Sequence, residues 1–299
     1  MTDNNASFHS GFVAIIGRPN VGKSTLLNQI LGQKIAITSN KPQTTRNRIL
    51  GIHNLDDAQV LFLDTPGIHA ARDRFNRYMV DQAVMACDDV DLILLLVEAG
   101  TGRGLDKQIL DVLKRTRTRV MLVINKIDTV PRTELLPQLE AFSRQYEFAE
   151  LVPVSAQTGE GVEHLVSAIR SYLPEGPRLY PEEMVTDLPE RFIVAEMIRE
   201  KIFRMTSKEV PYGIAVQVET FEEKPEKNLV VIGAVVHVEK ETHKSIILGK
   251  QGAMVKRIGK AAREDIERLL GTRVFLEIFV RIQKDWTRSP HLLREMGYE

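Results

Sequence analysis

Short aliphatic runs alternate with amphipathic segments along the first 173 residues. The runs have the length and the Leu/Ile/Val content of strands buried on both faces, and they occupy residues 13–16, 49–53, 60–63, 92–97, 120–124 and 151–154. Helical periodicity lies between most of them, at residues 75–86, 106–114, 134–146 and 162–172. This order predicts a doubly wound, mostly parallel α/β sheet, which binds its ligands at the carboxyl ends of strands.

The pattern changes in the second half of the chain. Residues 174–190 contain four prolines and a run of acids, which predicts an irregular, stiff linker between a domain at 1–173 and a domain at 191–299. Beyond the linker, the periodicity predicts a helix, two strands, two helices and a strand, at residues 192–205, 212–221, 229–238, 243–248, 253–270 and 274–282. We therefore expect a smaller α+β domain of order α-β-β-α-α-β.

Composition narrows the function classes. The formal net charge of the 299 residues is zero, so any nucleic-acid surface must be local. The single cysteine, Cys87, excludes a disulfide framework and fits a reducing compartment. The polar N-terminus does not have the pattern of a signal peptide, and the longest apolar run is too short to span a bilayer.

The first aliphatic run leads into a glycine-bounded loop. Residues 17–24 read Gly-Arg-Pro-Asn-Val-Gly-Lys-Ser and match G-x-x-x-x-G-K-[ST] between a strand and a helix. Backbone N–H groups of such a loop surround phosphates, while the lysine reaches the β- and γ-phosphates and the serine ligates Mg²⁺. The predicted phosphate site comprises Gly17, Arg18, Pro19, Asn20, Val21, Gly22, Lys23, Ser24 and Thr25.

Three later motifs also follow predicted strands. In the first motif, Asp64 can hold Mg²⁺. In the second, Asp128 can accept two hydrogen bonds from guanine. In the third, backbone N–H groups can reach the carbonyl oxygen of the base. The motifs are Asp64, Thr65, Pro66, Gly67 with Ile68; Asn125, Lys126, Ile127, Asp128; and Ser155, Ala156, Gln157. Each motif alone could be a turn or a helix cap.

Together these motifs resemble the signature set of the GTPase superfamily, whereas a P-loop kinase or ATPase would not need Asn125-Lys126-Ile127-Asp128. The resemblance implies a further Mg²⁺ ligand in the aperiodic loop at residues 36–47. Thr44 and Thr45 are the alternatives, and Thr45 is favoured because an arginine follows it. We expect this loop and the one after Gly67 to be ordered by the γ-phosphate.

Two residues depart from the Ras-like pattern. Ile68 stands where Ras-like enzymes have a glutamine that positions water, and Asn20 stands where they have glycine. In translation-factor-related GTPases an asparagine here accompanies activation by K⁺. The resemblance thus implies slow intrinsic hydrolysis raised by a partner or a cation. Lys23, Asn20, Thr45 and Gly67 are the expected catalytic residues.

In the second half, Gly249-Lys250-Gln251-Gly252 lies between two predicted helices. The turn and the element order resemble a type II KH domain, in which G-x-x-G brings bare backbone close to about four nucleotides. Six Lys/Arg and no acid lie between residues 243 and 263, although a plain solvated helix is the alternative. The expected RNA-binding residues are Lys244, Ile246, Ile247, Leu248, Gly249, Lys250, Gln251, Gly252, Lys256, Arg257 and Lys260. Trp286 could stack on RNA or pack internally.

The combination of these motifs closely resembles the Era family of bacterial GTPases over nearly all of the chain. The resemblance implies binding near the 3′ end of 16S rRNA, a role in 30S subunit assembly, Mg²⁺ and GTP, and a cytoplasmic location with some peripheral association at the inner membrane. We also expect a monomer, because no spare apolar stripe is evident.

Three other functions compete with this interpretation. A non-enzymatic, nucleotide-sensing RNA-binding assembly factor is consistent with Ile68. An RNA-modifying GTPase would need a nucleophile or cofactor motif, which the second half lacks. A membrane signalling GTPase would need a spare apolar face. In the favoured interpretation, the nucleotide state controls access to the Gly249–Gly252 groove.

Overall fold

A computed structural model describes residues 7–69, 74–102, 104–207 and 210–298 of the chain. They divide into two compact units. The first consists of the described residues up to Ala36 together with Thr45–Asp187. The second consists of Ile37–Thr44 together with the described residues from Leu188 onward.

The described part of the first unit contains a six-stranded sheet and five α-helices. The strands are β1 (His9–Gly17), β2 (Ile49–Asn54), β3 (Ala58–Asp64), β4 (Leu92–Glu98), β5 (Arg119–Asn125) and β6 (Glu150–Pro153). The helices are α1 (Lys23–Leu31), α2 (Arg74–Met85), α3 (Lys107–Leu113), α4 (Leu135–Ser143) and α5 (Val162–Tyr172). The strand order is β2-β3-β1-β4-β5-β6; β2 pairs antiparallel with β3, and the other neighbouring strands pair parallel. The predicted fold class is confirmed.

Burial on both faces explains why the strands read as continuous aliphatic runs. Ile93 and Leu95 of β4 pack in the same cluster as Ile109 of α3 and Phe142 of α4. The alternate residue Leu94 is equally buried on the other face. Because β1, β3, β4, β5 and β6 run parallel, their carboxyl ends share one edge of the sheet, where the predicted motifs follow.

Residues 174–187 cover the outer edge of this sheet. The Ile52 N–H donates to Val185 O at 2.8 Å, which pairs β2 with the proline-rich stretch. The buried Gln59 side chain of β3 accepts from Leu179 N at 2.8 Å and Tyr180 N at 2.9 Å. The sequence predicted an irregular linker here. The stretch is irregular, but backbone pairing makes most of it part of the first unit.

The second unit packs helices on one face of a three-stranded sheet. Its elements are α6 (Glu190–Met205), β7 (Ile214–Lys224), β8 (Leu229–Val238), α7 (Glu241–Leu248), α8 (Ala253–Leu270), β9 (Arg273–Ile282) and α9 (Pro290–Glu295). The strand order is β7-β8-β9, with β7 antiparallel and β9 parallel to β8. The predicted order α-β-β-α-α-β is present, and α9 follows it.

Apolar faces of the three long helices form the core of this unit. Ile198 of α6, Ile247 of α7 and Ile258 of α8 are completely buried against Ile232 and Val236 of β8. No helix in the described ranges is both long enough and apolar enough to cross a bilayer.

The C-terminal segment adds a smaller cluster to the second unit. Trp286 is completely buried, donates from Nε1 to Gly213 O at 3.3 Å and stacks on Tyr298 with ring centroids 5.6 Å apart. Trp286 therefore packs internally, which is one of the two roles that the sequence allowed for it.

Candidate nucleotide and nucleic-acid sites

The loop between β1 and α1 is closely packed around its glycines. Gly22 has φ +98°, and a Cβ there would lie 2.2 Å from Asn125 Nδ2. Gly17 has φ +149°, and its Cβ would lie 2.4 Å from Leu96 O. A side chain at either position would force the loop to move. The first turn of α1, which begins at Lys23, offers backbone N–H groups that have no intrahelical acceptor.

Lys23 is buried beside this loop. Its ammonium group donates to Arg18 O at 3.0 Å and to Gly17 O at 3.3 Å. Burial lowers the pKa of Lys23 to about 8, although the charge of Asp64 opposes the shift. A phosphate placed against the loop would favour the charged form of Lys23.

Three oxygen-bearing side chains converge next to Lys23. The Ser24 hydroxyl donates to Asp64 Oδ2 at 2.6 Å, and the Ser24 and Thr45 hydroxyl oxygens lie 2.7 Å apart. Thr45 also donates to Asp64 Oδ2 at 3.4 Å. Thr44 instead donates to Lys41 O at 2.7 Å, so its hydroxyl takes part in a local turn. Of the two threonines, only Thr45 lies beside Ser24 and Asp64.

This set of donors fits Mg²⁺, which prefers a few hard oxygen ligands together with substrate phosphates. Asp64 Oδ1 is buried and has no hydrogen-bond partner among the described residues. Burial raises the pKa of Asp64 to about 6, against the lowering effects of Lys23 and the Ser24 and Thr45 hydroxyls. A dication would satisfy Oδ1 and favour the ionised carboxylate.

Asn125, at the end of β5, connects two of the predicted motifs. Its Nδ2 donates to Val21 O of the phosphate loop at 2.8 Å, and its Oδ1 accepts from Ala156 N at 2.9 Å. The sequence suggested that backbone N–H groups near Ser155 and Ala156 face a base carbonyl. In this structure the Ala156 N–H donates to Asn125. The structural role of Asn125 was missed, although its position at a strand end pointed to it.

The side chain predicted to recognise the base is held from one side. Asp128 is exposed, and its Oδ1 accepts a hydrogen bond from the buried Ser155 hydroxyl at 2.6 Å. Lys126 has φ +66° and forms an ion pair with Glu98 at 2.8 Å. Among the described residues, Asp128 Oδ2 accepts no hydrogen bond, which leaves it suited to donors from a ligand.

Two predicted nucleotide contacts are directed into the protein. The Ile68 side chain is buried in the core of the first unit, and its N–H donates to Gly17 O at 3.0 Å. The Thr65 hydroxyl is buried and donates to Ile15 O at 2.8 Å. Packing and hydrogen bonding within the protein use the Ile68 side chain and the Thr65 hydroxyl, and the prediction that Thr65 and Ile68 belong to the nucleotide site stays a prediction.

Two predicted catalytic positions lie at the open side of the loop. Asn20 is exposed and has φ +66°, a left-handed conformation that asparagine adopts more readily than most residues. A Cβ at Gly67 would lie 2.6 Å from Pro19 N, so glycine permits the close approach of these two segments.

In the second unit, the turn between α7 and α8 has a demanding backbone geometry. Gly249 has φ +69° and ψ 177°, and a Cβ there would lie 2.7 Å from Met254 Cβ. Gln251 and Gly252 also have positive φ, of 52° and 77°. The turn exposes Lys250 and Gln251, and the G-x-x-G sequence is needed to form it.

Cationic side chains line the surface that follows this turn. Lys250, Lys256, Arg257 and Lys260 are exposed and Lys244 is half-buried. None of these five makes an ion pair within the part of the chain that the structure describes. Surface cations without carboxylate partners suit binding to a phosphate backbone.

The apolar residues predicted for this surface lie on different faces of α7. Ile246 is 47% exposed, and Leu248 is half-buried. Ile247 is completely buried in the core, so the prediction that Ile247 lines the RNA groove is wrong. Adjacent residues of a helix point in different directions, and the core-facing position belongs to Ile247.

The sequence reasoning did not identify the open surface at the end of β9, which lies beside Lys244. An open pocket of about 580 Å³ lies beside Lys244 and is lined mainly by the end of β9. It includes Phe279, which is 59% exposed, together with Val280 and Arg281. The alternation of residues 274–282 could have indicated this surface, because phenylalanine occupies positions of the outward-facing series.

Family comparisons match both halves of the chain. Residues 12–126 match the family described as 50S ribosome-binding GTPase. Residues 209–287 match the KH domain family.

Relatives match the full length. The chain is 56% identical over 299 residues to GTPase Era of Geobacter metallireducens, covering 100% of both chains. It is 56% identical over 293 residues to GTPase Era of Geotalea uraniireducens, covering 98% of each.

Solved structures match both units as well. A single-residue variant of Aquifex aeolicus Era bound to GDP·AlF4⁻ aligns with a TM-score of 0.93 at 41% identity, covering 97% of this chain and 99% of that one. A structure of Era in complex with MgGDPNP and nucleotides 1506–1542 of 16S ribosomal RNA gives the same TM-score, identity and coverage.

Proposed function

The chain belongs to the Era family of GTPases, and we propose that it is a GTP-hydrolysing switch that binds the 3′ end of 16S rRNA during assembly of the small ribosomal subunit. The observation that carries this proposal is the convergence of Ser24, Thr45 and Asp64 beside the buried Lys23. Lys23 and the backbone N–H groups of the loop bind the phosphates of GTP.

The proposed Mg²⁺ ligands are the hydroxyls of Ser24 and Thr45, with Asp64 acting directly or through water. When bound, the ion neutralises charge that develops on the phosphates. Thr45 lies in the loop that a γ-phosphate orders, so it reports whether GTP or GDP is present. Asn20 is the proposed K⁺ ligand. A cation there would assist hydrolysis in a site where Ile68 cannot orient water by hydrogen bonding.

Guanine selectivity follows from the exposed carboxylate of Asp128. The carboxylate accepts from the ring N–H and the exocyclic amine of guanine. Adenine does not offer this pair of donors and would leave a polar group unpaired. Ser155 fixes Asp128 through the 2.6 Å hydrogen bond.

The proposed RNA surface is the Gly249–Gly252 turn with the cations of α7 and α8, extended by the exposed end of β9. The turn admits a nucleotide backbone and the cations neutralise its phosphates. We further propose that the nucleotide state controls RNA affinity and that the protein acts as a monomer in the cytoplasm, with part of it associated peripherally with the inner membrane.

Steady-state GTP turnover tests the enzymatic part. We expect turnover that is slow in Na⁺, faster in K⁺, and faster again with an RNA carrying the 3′ end of 16S rRNA. Lys23→Ala should abolish turnover. If the wild-type protein binds GTP but does not turn it over under any of these conditions, the nucleotide-sensing assembly factor becomes the better description.

RNA binding with GDP and with a non-hydrolysable GTP analogue tests the switch. Linkage requires that any nucleotide preference for RNA be matched by an RNA preference for nucleotide. Equal RNA affinity in both nucleotide states would remove the switch and leave GTP hydrolysis intact. Crosslinking in cells to RNAs other than 16S rRNA would contradict the assembly role.

A further inference from the structure

Arg46 and Asn47 directly follow Thr45 and contact α2 within the first unit. The guanidinium of Arg46 lies over the Phe75 ring, with Cζ 5.1 Å from the ring centroid. The Tyr78 hydroxyl donates to Asn47 Oδ1 at 3.0 Å. Two consecutive residues of this loop are therefore attached to one helix.

The contact between Arg46 and α2 is buried. Arg46 is 1% exposed and Phe75 is 5% exposed. The rings of Phe75 and Tyr78 are nearly parallel, with an interplanar angle of 6° and centroids 6.5 Å apart. A cation over an aromatic face is attracted more strongly when both groups are shielded from water. Because the guanidinium is planar, its stacking also specifies an orientation, so α2 determines where Arg46 lies.

Thr45, the residue before Arg46, contacts the oxygens predicted to bind the metal. Its hydroxyl oxygen lies 2.7 Å from that of Ser24, and it donates to Asp64 Oδ2 at 3.4 Å. Consecutive Cα atoms are about 3.8 Å apart, so fixing Arg46 restricts where the Thr45 hydroxyl can lie. Residues 45–47 thus connect these oxygens to α2 inside a single compact unit.

We propose that Arg46, with Asn47, is a positioning residue that couples Thr45 to α2, so that binding of Mg²⁺ and GTP at Thr45 and packing of α2 stabilise each other. In the described part of the chain, α2 is the next helix after Gly67, so these contacts join the two loops that a γ-phosphate orders. By linkage, a change that loosens α2 must lower the affinity for GTP relative to GDP. This inference rests on the assignment of Thr45 as a metal ligand made under the proposed function.

Nucleotide affinities of the full chain test this coupling. Tyr78→Phe removes the hydroxyl that reaches Asn47 and keeps the ring beside Phe75, and Arg46→Lys keeps the charge but loses the planar group. Each should weaken binding of the GTP analogue GDPNP with Mg²⁺ by about 5-fold, the effect of one hydrogen bond or one cation–π contact. GDP affinity should change by less than about twofold, because the γ-phosphate is what orders this loop. Equal losses for GDP and GDPNP, or no loss for either, would overturn the coupling.

Hydrogen exchange of α2 is the reciprocal measurement. In the wild type, the backbone amides of residues 75–85 should exchange at least about 5-fold more slowly with Mg²⁺ and GDPNP than with GDP. Tyr78→Phe and Arg46→Lys should reduce this difference to less than about twofold. A difference of wild-type size in both variants would show that α2 responds to the nucleotide through other contacts, which overturns the role of Arg46.

Arg119→Lys and Tyr172→Phe are the matched controls. Arg119 Cζ lies 5.7 Å from the centroid of the Tyr172 ring, and the Tyr172 hydroxyl donates to Ala149 O at 3.2 Å. Arg119 begins β5, at the opposite end of the strand from Asn125. These substitutions remove the same kinds of contact away from the nucleotide site and should leave both affinities and the exchange of α2 unchanged. Urea unfolding of all four variants identifies a general loss of stability, which would weaken GDP and GDPNP binding together.

A double-mutant cycle with Thr45→Ala separates the inference from its premise. In the Thr45→Ala background, Tyr78→Phe should have no further effect on GDPNP affinity. If Thr45→Ala weakens GDPNP binding and the effect of Tyr78→Phe adds fully, the positioning role is overturned and the metal assignment stands. If Thr45→Ala itself leaves GDPNP affinity unchanged, both are overturned.

Discussion

Asn125 shows how one side chain can connect two segments of a binding site. Its amide joins the phosphate loop to the segment after β6, through Val21 O at 2.8 Å and Ala156 N at 2.9 Å. Both backbone groups are buried, so each would be left without a partner if the amide were removed.

We therefore predict that Asn125→Ala costs about 2–6 kcal/mol of stability, because two buried backbone groups lose a hydrogen bond and leaving each unsatisfied costs roughly 1–3 kcal/mol. Affinity for GDP and for GTP should fall together. Calorimetric nucleotide titration and urea unfolding measure the two effects. Asn54→Ala, which removes bonds to Glu182 O and Met184 O elsewhere in the first unit, should lower stability without lowering nucleotide affinity. Unchanged nucleotide affinity in Asn125→Ala would contradict the prediction.

We expect His237 to make the stability of the protein depend on pH. It is buried on β8, and neither ring nitrogen has a hydrogen-bond partner among the described residues. Burial lowers its pKa, Arg281 lowers it further, and Glu219 and Glu295 oppose the shift. The pKa of His237 in the folded protein lies below the unfolded value of about 6.5. The contribution of His237 to stability is therefore complete above about pH 6.5 and is lost as the pH falls from there through the folded pKa.

We predict that His237→Leu removes part of this acid sensitivity. The free energy of unfolding of the wild type should fall below pH 6.5 with a slope of at most about 1.4 kcal/mol per pH unit from this group. Urea titrations between pH 5 and 8 measure the slope. Burial also lowers the pKa of His53, so His53→Leu is the matched comparison and should remove a separate part. Identical slopes in His237→Leu and the wild type would show that His237 does not titrate with unfolding.

At the scale of elements, glycine substitutions in and near the turn between α7 and α8 distinguish the cost of backbone strain from the cost of a steric conflict. Gly249→Ala should cost more than about 2 kcal/mol, because positive φ is combined with a Cβ 2.7 Å from that of Met254. Gly252→Ala and Gly271→Ala also have positive φ, but their Cβ atoms meet nothing closer than 4.0 Å, so each should cost about 1 kcal/mol. Urea unfolding ranks the three variants.

RNA affinity distinguishes the same three glycines by location. Substitution at Gly249 or Gly252 should weaken RNA binding, because a methyl group obstructs the approach of a nucleotide backbone. Gly271 ends α8 at the opposite end from the turn, and its substitution should not change RNA affinity. Equal RNA affinities for all three variants would place the RNA elsewhere on the second unit.

The strap of residues 178–186 along β2 gives a second test at this scale. Gln59 is completely buried and hydrogen-bonds with Leu179 N, Tyr180 N and Tyr180 O. Gln59→Leu keeps the volume but leaves these groups unpaired, so we predict a loss of about 2–4 kcal/mol and faster tryptic cleavage after Arg178. Gln138→Leu in α4, which loses one hydrogen bond from the Gly100 N–H, should destabilise the protein less and should not accelerate that cleavage. Cleavage at the wild-type rate would contradict a role of Gln59 in holding the strap.

For the whole molecule, the features predictable from sequence were those that local patterns determine. Parallel strands buried on both faces leave continuous aliphatic runs, and their ends place Ser24, Asp64 and Asn125 at one edge of the sheet. The assignment of Ile37–Thr44 to the second unit depends on hydrogen bonds between its backbone and side chains of a helix about 160 residues later. Such bonds impose no periodicity on the segment. The inward orientation of Ile247 and Trp286 likewise depends on which helix face and which tail residue meet the core.

Charge at the scale of the whole chain leads to the last prediction. The net charge is zero, yet Lys244, Lys250, Lys256, Arg257 and Lys260 have no ion-pair partner among the described residues. Binding of single-stranded RNA to such a surface releases counterions, with a log–log salt slope of about −0.7 for each phosphate neutralised. Lys256→Gln with Arg257→Gln should therefore reduce the slope by about 1.4 and weaken binding to all sequences similarly.

Arg268→Gln is the control for this experiment. Arg268 lies on the same helix, is well exposed, and pairs with Asp265 at 3.4 Å, so its charge is already partly neutralised within the protein. Its substitution should leave both the RNA affinity and the salt slope unchanged. If Arg268→Gln lowered the slope as much as the double substitution, the attraction would come from the overall field of the second unit. If neither variant changed it, the phosphates would run along the exposed end of β9 instead.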